Sequence, residues 1–201
     1  MKSRGMLLAL AALTITLTGT AQAGVYTFVP QPSSTMWGLD HYYYYTWGID
    51  WSAHKNETIT EAVLTFKNIW DWRVEVDSLY LHLLNNTSLG SKMYWDNQGG
   101  GDNFAGQGTK LPTWSDPVGG HPRNFNLVYR FSNLGLIDQL NTYAKDGVFG
   151  FGFDPDCHYY NSGISLTVTT TNKTSTPVPE PATFALLAAG LAGLKAYRRR
   201  K

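Results

Sequence analysis

The strongest constraint on the fold lies in residues 148–153, where phenylalanine and glycine alternate. Phe149, Phe151 and Phe153 are separated by Gly150 and Gly152. Successive side chains of a β-strand point to opposite faces of the sheet, so this pattern predicts a strand with one fully aromatic face. The glycine face predicts that another chain segment or a ligand approaches the backbone closely.

Three further segments show the same period of two. They are residues 58–69, 76–84 and 124–131, each with apolar side chains on one face and mostly polar ones on the other. Residues 41–47, which include four consecutive tyrosines, consist largely of types that favour strands. This pattern indicates half-buried strands that pack one face against a core.

Only one segment has helical spacing. Leu134, Ile137, Leu140 and Tyr143 fall on one face of a helix, and Ser132 or Asn133 is expected to cap its start. With many short strands and turn-rich connections, the chain is predicted to be all-β: an antiparallel β-sandwich, jelly-roll-like, with one short helix. We expect this domain to span residues 24–175.

The N-terminus has the three parts of an export signal. Lys2 and Arg4 supply positive charge, residues 6–17 are mostly apolar, and Ala21 and Ala23 are the small residues that a signal peptidase reads. We therefore predict a signal peptide over residues 1–23, with cleavage after Ala23.

The C-terminus, residues 176–201, has a second ordered pattern. Pro179, Glu180 and Pro181 precede an apolar run of residues 182–194, and basic residues close the chain. As a helix this run covers only about 20 Å of a ~30 Å hydrocarbon core. Snorkelling of the flanking residues extends the segment to 182–197, which predicts a transient association with the inner membrane and a cytoplasmic basic end.

This tail resembles the PEP-CTERM sorting signal in its Pro179-Glu180-Pro181 motif, its apolar run and its terminal Arg/Lys cluster. The resemblance implies processing by an exosortase-type sorting enzyme in a Gram-negative bacterium that makes exopolysaccharide. It therefore implies that the protein is exported to the cell envelope, the cell surface or the extracellular matrix. It implies no biochemical activity.

The charge of the predicted domain restricts its partners. Residues 24–175 contain nine Lys/Arg and fourteen Asp/Glu, a net charge of −5, and they have no basic cluster. This charge argues against a nucleic acid as the partner. The chain has a single cysteine, so no intrachain disulfide is possible, and Cys157 is either a small buried residue or a free thiol.

A polar cluster follows the phenylalanine–glycine strand. Asp154, Asp156 and Asn161 supply oxygen atoms of the kind that calcium prefers, although their spacing is not that of an EF-hand. The alternative is a turn, because Asp side chains bond to nearby backbone N–H groups. Calcium is the one cofactor that we predict, and the five histidines lack a zinc-binding spacing.

Tryptophans suggest a ligand-binding role. Trp47, Trp51, Trp70 and Trp72, with the tyrosines of residues 42–45, are candidates for stacking on the apolar faces of sugars. The alternative is that these rings pack in the core. We therefore expect a non-enzymatic exported protein that binds exopolysaccharide or has a structural role in a biofilm.

The competing hypothesis is a secreted glycan-active hydrolase on a jelly-roll scaffold. Such an enzyme needs two carboxyl groups at a fixed separation, and Glu75 with Asp154 or Asp156 is the candidate pair. The sequence contains no nucleophile elbow and no phosphate-binding loop, so we name no catalytic residue.

Overall fold

The structure is a computed structural model that describes residues 23–73, 77–96, 100–116, 120, 125–172, 190 and 197–198. Its strands are β1 Ala23–Phe28, β2 Gly38–Leu39, β3 Tyr43–Asp50, β4 Glu57–Phe66, β5 Trp70–Asp71, β6 Leu79–Leu84, β7 Gly90–Trp95, β8 Thr109–Lys110, β9 Leu127–Arg130, β10 Val148–Pro155, β11 Tyr159–Tyr160 and β12 Ile164–Asn172. One α-helix, α1 Ile137–Ala144, and two 3-10 helices, Ser33–Met36 and Ser52–His54, complete the named elements of the described residues up to 172; residues 190, 197 and 198 are also helical.

The strands form three antiparallel sheets. The first has the order β1-β12-β4-β9, the second β7-β3-β10-β6-β8, and the small third sheet β2-β11-β5. The prediction of an all-β sandwich with one short helix is therefore confirmed.

Aromatic side chains join the two larger sheets across the core. The ring of Phe66 on β4 meets Phe153 on β10 edge to face, with centroids 5.4 Å apart. Phe131, which follows β9, meets Phe151 in the same way at 6.1 Å. Phe149, Phe151 and Phe153 are fully buried, as their alternation predicted. Burial of such rings is the main stabilising contribution to a fold that has no disulfide.

Helix α1 packs against β4 and β10 and is fastened by one side chain. The amide of Asn141 accepts a hydrogen bond from the N–H of Ile59 at 2.9 Å and donates one to its carbonyl at 2.8 Å. The predicted cap is wrong, because the helix starts at Ile137 without a side-chain cap. Ser132 instead donates its hydroxyl proton to Glu61 at 2.6 Å.

The small sheet has two chemically different faces. Tyr160 pairs with Trp70, and the neighbouring pair is Tyr159 with Asp71. Because side chains alternate along a strand, Trp70 and Tyr160 share one face while Asp71 and Tyr159 share the other. Asp71 and Tyr159 are fully buried, so the inner face of this sheet contains a carboxylate.

The glycine-rich stretch after β7 is more regular than its composition indicates. Residues 100–116 include β8, and Leu111 donates its N–H to Leu81 at 2.8 Å. Trp114 forms an isolated antiparallel bridge with Leu79, and Phe104 is buried. This stretch therefore lies on the second sheet as part of the folded domain.

Contacts between Cα atoms group Gln22–Lys173 into one compact unit. The predicted signal peptide, except Ala23, lies outside the described residues, and so do Pro179, Glu180, Pro181 and nearly all of the membrane segment 182–197. Ala23 is the first residue of β1. Within the described part of the chain, no helix combines the length and the apolar character that crossing a membrane requires.

Candidate functional site

A groove lies on the outer face of the second sheet, between strands β3 and β7 and residues 103–107. We call it the tyrosine groove. It has a volume of 270 Å³, and its walls include three aromatic rings and three side-chain amides. The rings are Tyr44, Tyr94 and Phe104, and the amides are Asn86, Asn103 and Gln107.

The groove exists because β10 has glycines on its outer face. A Cβ atom at Gly152 would lie 2.7 Å from the ring of Phe104, and one at Gly150 would lie 2.6 Å from the hydroxyl of Thr87. Both distances are too short for a side chain, so only glycine lets these groups lie on the strand. The close approach predicted for this face is thereby confirmed.

Two tyrosines form the aromatic wall. Tyr44 and Tyr94 are cross-strand neighbours on β3 and β7, and their rings stack with centroids 5.1 Å apart and planes 18° from parallel. Phe104 meets Tyr44 edge to face at 5.6 Å. Tyr94 remains 38% exposed, so part of its ring surface is available to a ligand.

Two threonines of the groove's lining have buried hydroxyl groups. The hydroxyls of Thr46 and Thr87 are buried and form no hydrogen bond with any residue in the described ranges. A buried polar atom without a partner costs about 1–3 kcal/mol. Both hydroxyls are shielded from solvent, and that of Thr87 packs against Gly150 of β10, so they belong to the packing beneath the groove and not to the surface that a ligand would contact.

Two carboxylates, one on β10 and one just after it, hold residues 100–104 in place; we call residues 100–107 the rim of the groove. Asp154 accepts a hydrogen bond from the N–H of Asn103 at 2.5 Å, and Asp156 accepts one from the N–H of Gly101 at 2.9 Å. Burial raises the pKa of Asp154 to about 6, and the charges of Asp96 and Asp102 add to this rise. These contacts connect residues 100–104 to the strand.

A second set of contacts fixes the same rim from β6. His82 is buried, and its ring nitrogens lie 2.9 Å from the carbonyl of Gln107 and 3.0 Å from a carboxylate oxygen of Asp102. Lys110 forms an ion pair with the same oxygen at 2.9 Å. Partial burial raises the pKa of Asp102, but Lys110 and His82 outweigh it and hold this pKa below its usual range.

The predicted calcium ligands are not all brought together. Asp154 and Asp156 both bond to residues 100–104, whereas Asn161 donates to the carbonyl of Met36 at 2.7 Å and accepts from Gly163 at 2.9 Å. Asn161 therefore uses both ends of its amide within the protein. Calcium at the two aspartates stays a prediction.

The four tryptophans named from the sequence have different environments. Trp47 and Trp51 are 2% and 1% exposed, so they are core residues with no ring face for stacking, and we withdraw them as ligand-binding candidates. Trp70 stacks on Tyr160 at 4.7 Å, and Tyr160 stacks on His158 at 4.5 Å.

The fourth tryptophan, Trp72, is 42% exposed, and Arg73 lies 4.3 Å over its ring. The rings of Trp70, Tyr160 and His158 therefore cover one another, and the guanidinium covers one face of Trp72. Sugar stacking at Trp70 and Trp72 stays a prediction, because neither ring lines the tyrosine groove.

The hydrolase hypothesis names a carboxyl pair of which the structure describes only the aspartate side. Glu75 lies outside the described residues, and Asp154 is 1% exposed with an oxygen bonded to the backbone. Hydrolysis by this pair therefore stays a prediction.

One cluster was not anticipated from the sequence. Among the described residues, one group of three metal-ligating side chains was found, namely Asp71, Asp77 and Cys157. Cys157 is buried, as expected, but its thiol donates to Asp71 at 3.2 Å across 86 positions of sequence. The one sequence feature that could have indicated this cluster is a charged residue, Asp71, between two tryptophans.

The tyrosine groove was also only partly anticipated. The tyrosine run marked Tyr44, but Tyr94 and Phe104 come from other segments, and no local pattern connects the three. Their proximity depends on the pairing of β3 with β7 and on the glycines of β10.

Comparison with known proteins gives one match, at the C-terminus of the chain. No curated protein and no solved structure matches this chain. Residues 177–201 match the family model of the PEP-CTERM protein-sorting motif, which indicates export, processing by an exosortase, and sorting to the envelope or surface of a Gram-negative bacterium. The chain is thus an exported protein with a C-terminal PEP-CTERM protein-sorting motif.

Proposed function

We propose that this protein binds exopolysaccharide at the cell surface or in the extracellular matrix, without catalysing a reaction, and that the tyrosine groove is the binding site. The observation that carries the proposal is the combination of a stacked tyrosine pair with three side-chain amides in one concavity. Sugars have apolar ring faces and peripheral hydroxyls, so one sugar ring matches both features.

The rigidity of the groove supports this proposal. Three side chains of the sheet and its continuation fix residues 100–107 by hydrogen bonds, namely those of His82, Asp154 and Asp156. A preorganised site loses less conformational entropy on binding, which increases affinity for a weakly interacting ligand. A surface that serves only as a spacer has no need for such anchoring.

We further propose an order of events for sorting. The signal peptide is removed after Ala23, residues 182–197 hold the chain transiently in the inner membrane, and an exosortase acts near Pro179–Pro181. The basic end of the tail favours the cytoplasmic side of the membrane.

The experiment is a glycan array probed with the purified full chain and with Tyr94→Ala. Aromatic stacking contributes about 0.5–1.5 kcal/mol, so we expect up to about tenfold weaker binding for this variant. Phe125→Ala is the matched control, because Phe125 is 43% exposed but lies outside the groove.

Two further arms test the remaining predictions. Trp72→Ala measures whether the small sheet adds a second contact, and arrays with calcium or with a chelator test a role for Asp154 and Asp156. Equal binding by wild type and Tyr94→Ala would reject the groove, and absence of glycan binding would favour a purely structural role in the biofilm.

A further inference from the structure

We propose that Asp71, Asp77 and Cys157 bind a divalent transition-metal ion of the zinc type beneath the small sheet. One ligand atom from each of the three side chains lies within 4.8 Å of the others. This inference concerns a separate site and does not depend on sugar binding in the tyrosine groove.

Three segments bring these side chains together. Asp71 ends β5, Asp77 lies two residues before β6, and Cys157 lies two residues after β10. The N–H of Asp156 donates to the carbonyl of Ser78 at 2.8 Å, which continues the pairing of β10 with β6 up to the cluster. The regular sheet therefore sets the position of two of the three ligands.

Unpartnered buried oxygens provide independent evidence for a ligand. One carboxylate oxygen of Asp71 and one of Asp77 form no hydrogen bond with the described residues, and neither does the hydroxyl of Tyr159. Tyr159 is fully buried and is the cross-strand neighbour of Asp71 on the same face of the small sheet. Its hydroxyl is thus a further unpartnered oxygen of the side chains on the buried face that carries Asp71.

Charge favours a cation at this position. No lysine or arginine in the described ranges forms an ion pair with Asp71 or Asp77, although Asp71 is fully buried. A divalent ion would neutralise both carboxylates in place of protons.

The donor set selects the class of metal. A thiolate sulfur disfavours calcium and magnesium, which take oxygen ligands, whereas zinc accepts both cysteine sulfur and aspartate oxygen. Ligand atoms on a tetrahedral zinc ion are about 3.5 Å apart, close to the 3.2 Å between the sulfur of Cys157 and an oxygen of Asp71. The other separations, which are within 4.8 Å, are expected to approach the same value when an ion binds.

Metal binding must release a proton here. A cysteine thiol of ordinary acidity is mostly protonated at neutral pH before an ion binds. Coordination requires the thiolate, and the proton passes to solvent. Affinity is therefore expected to fall as the pH is lowered.

The test uses Co²⁺ as a spectroscopic probe with the purified, reduced full chain. Because the chain has one cysteine, a near-ultraviolet thiolate-to-cobalt charge-transfer band reports on Cys157 alone. We expect this band in the wild type, its displacement by Zn²⁺, and its absence in Cys157→Ser. Asp77→Asn should weaken cobalt binding by at least about 100-fold, since loss of even an outer-shell partner commonly costs 10–100-fold.

Asp138→Asn is the matched control, because it removes one exposed carboxylate outside the cluster and should leave the band and the affinity unchanged. Absence of the band in the folded wild type would overturn the proposal. So would unchanged cobalt affinity in Asp77→Asn, or a rise in melting temperature with Ca²⁺ but not with Zn²⁺.

Discussion

The ring of Phe104 lies directly on the backbone of Gly152, so closely that a Cβ atom there would be 2.7 Å from the ring. This contact places residues 103–107 against β10 and forms one wall of the tyrosine groove. A single methyl group on β10 is therefore expected to change both stability and binding.

Gly152→Ala should displace Phe104 and lower the free energy of unfolding by about 1–3 kcal/mol, the usual cost of overpacking. Urea denaturation of the purified protein measures this change. In the double variant Gly152→Ala/Phe104→Ala the clash is relieved, so the two effects should not add. Additive effects would show that the two residues do not touch.

Asp154 should make stability depend on pH in a defined window. Burial raises its pKa from 3.8 to about 6, so the native state holds this proton more tightly than the unfolded state does. The contribution of the Asp154 proton to the free energy of unfolding is complete below pH 3.8, and it is lost as the pH rises through about 6. Relative to Asp154→Asn, the wild type should lose about 3 kcal/mol of unfolding free energy across this window.

Denaturant titrations at a series of pH values measure the difference between the two proteins. Asp138→Asn provides the baseline, because Asp138 is exposed. If the profiles of wild type and Asp154→Asn run parallel between pH 3.8 and about 6, the buried carboxylate is not protonated in the native state.

Glu57 should act in the opposite direction. It accepts hydrogen bonds from Tyr26 at 2.8 Å, from His54 at 3.0 Å and from Thr170. Desolvation raises the pKa of Glu57, but these three bonds outweigh it and hold the pKa below its usual range. Its stabilisation is therefore present above the unfolded-state pKa and is lost as the pH falls.

Glu57→Gln should lower the free energy of unfolding at pH 7 by about 1–3 kcal/mol, because hydrogen bonds to a charged acceptor are replaced by bonds to a neutral amide. Thermal melting measures this effect, with the exposed Asp146→Asn as a control. A difference between Glu57→Gln and wild type that grows as the pH falls to 4 would contradict the assignment.

The sorting motif makes a prediction about location. Replacing Pro179, Glu180 and Pro181 together by alanine should leave export intact but block processing of residues 177–201. Cell fractionation and mass spectrometry should then find the unprocessed chain in the inner membrane. Normal release of a shortened product from the triple variant would mean that another feature of the tail is recognised.

The sequence predicts the parts of this fold that depend on neighbouring residues. Alternation along one strand is enough to assign the buried face of Phe149, Phe151 and Phe153, and a sorting motif is read within 25 residues. Sites made from distant segments are different. Asp71 and Cys157 are 86 positions apart, and Asn161 lies near Asp156 in sequence yet bonds to Met36.

The same reason explains the error with the tryptophans. Trp47 alternates on β3 in a run of aromatic residues that all favour strands, so sequence gives no signal for which face is covered by the other sheet. The opposing sheet decides that Trp47 is buried while Tyr44, an odd number of positions away, faces the groove.

Binding of polysaccharide in the tyrosine groove can be measured directly. The most direct measurement is calorimetric titration of the exported protein, as wild type, Tyr94→Ala and Phe125→Ala, with polysaccharide from the producing culture. We predict that wild type and Phe125→Ala bind equally, while Tyr94→Ala binds up to about tenfold more weakly. Equal affinity of all three proteins, or no binding by the wild type, would contradict the account.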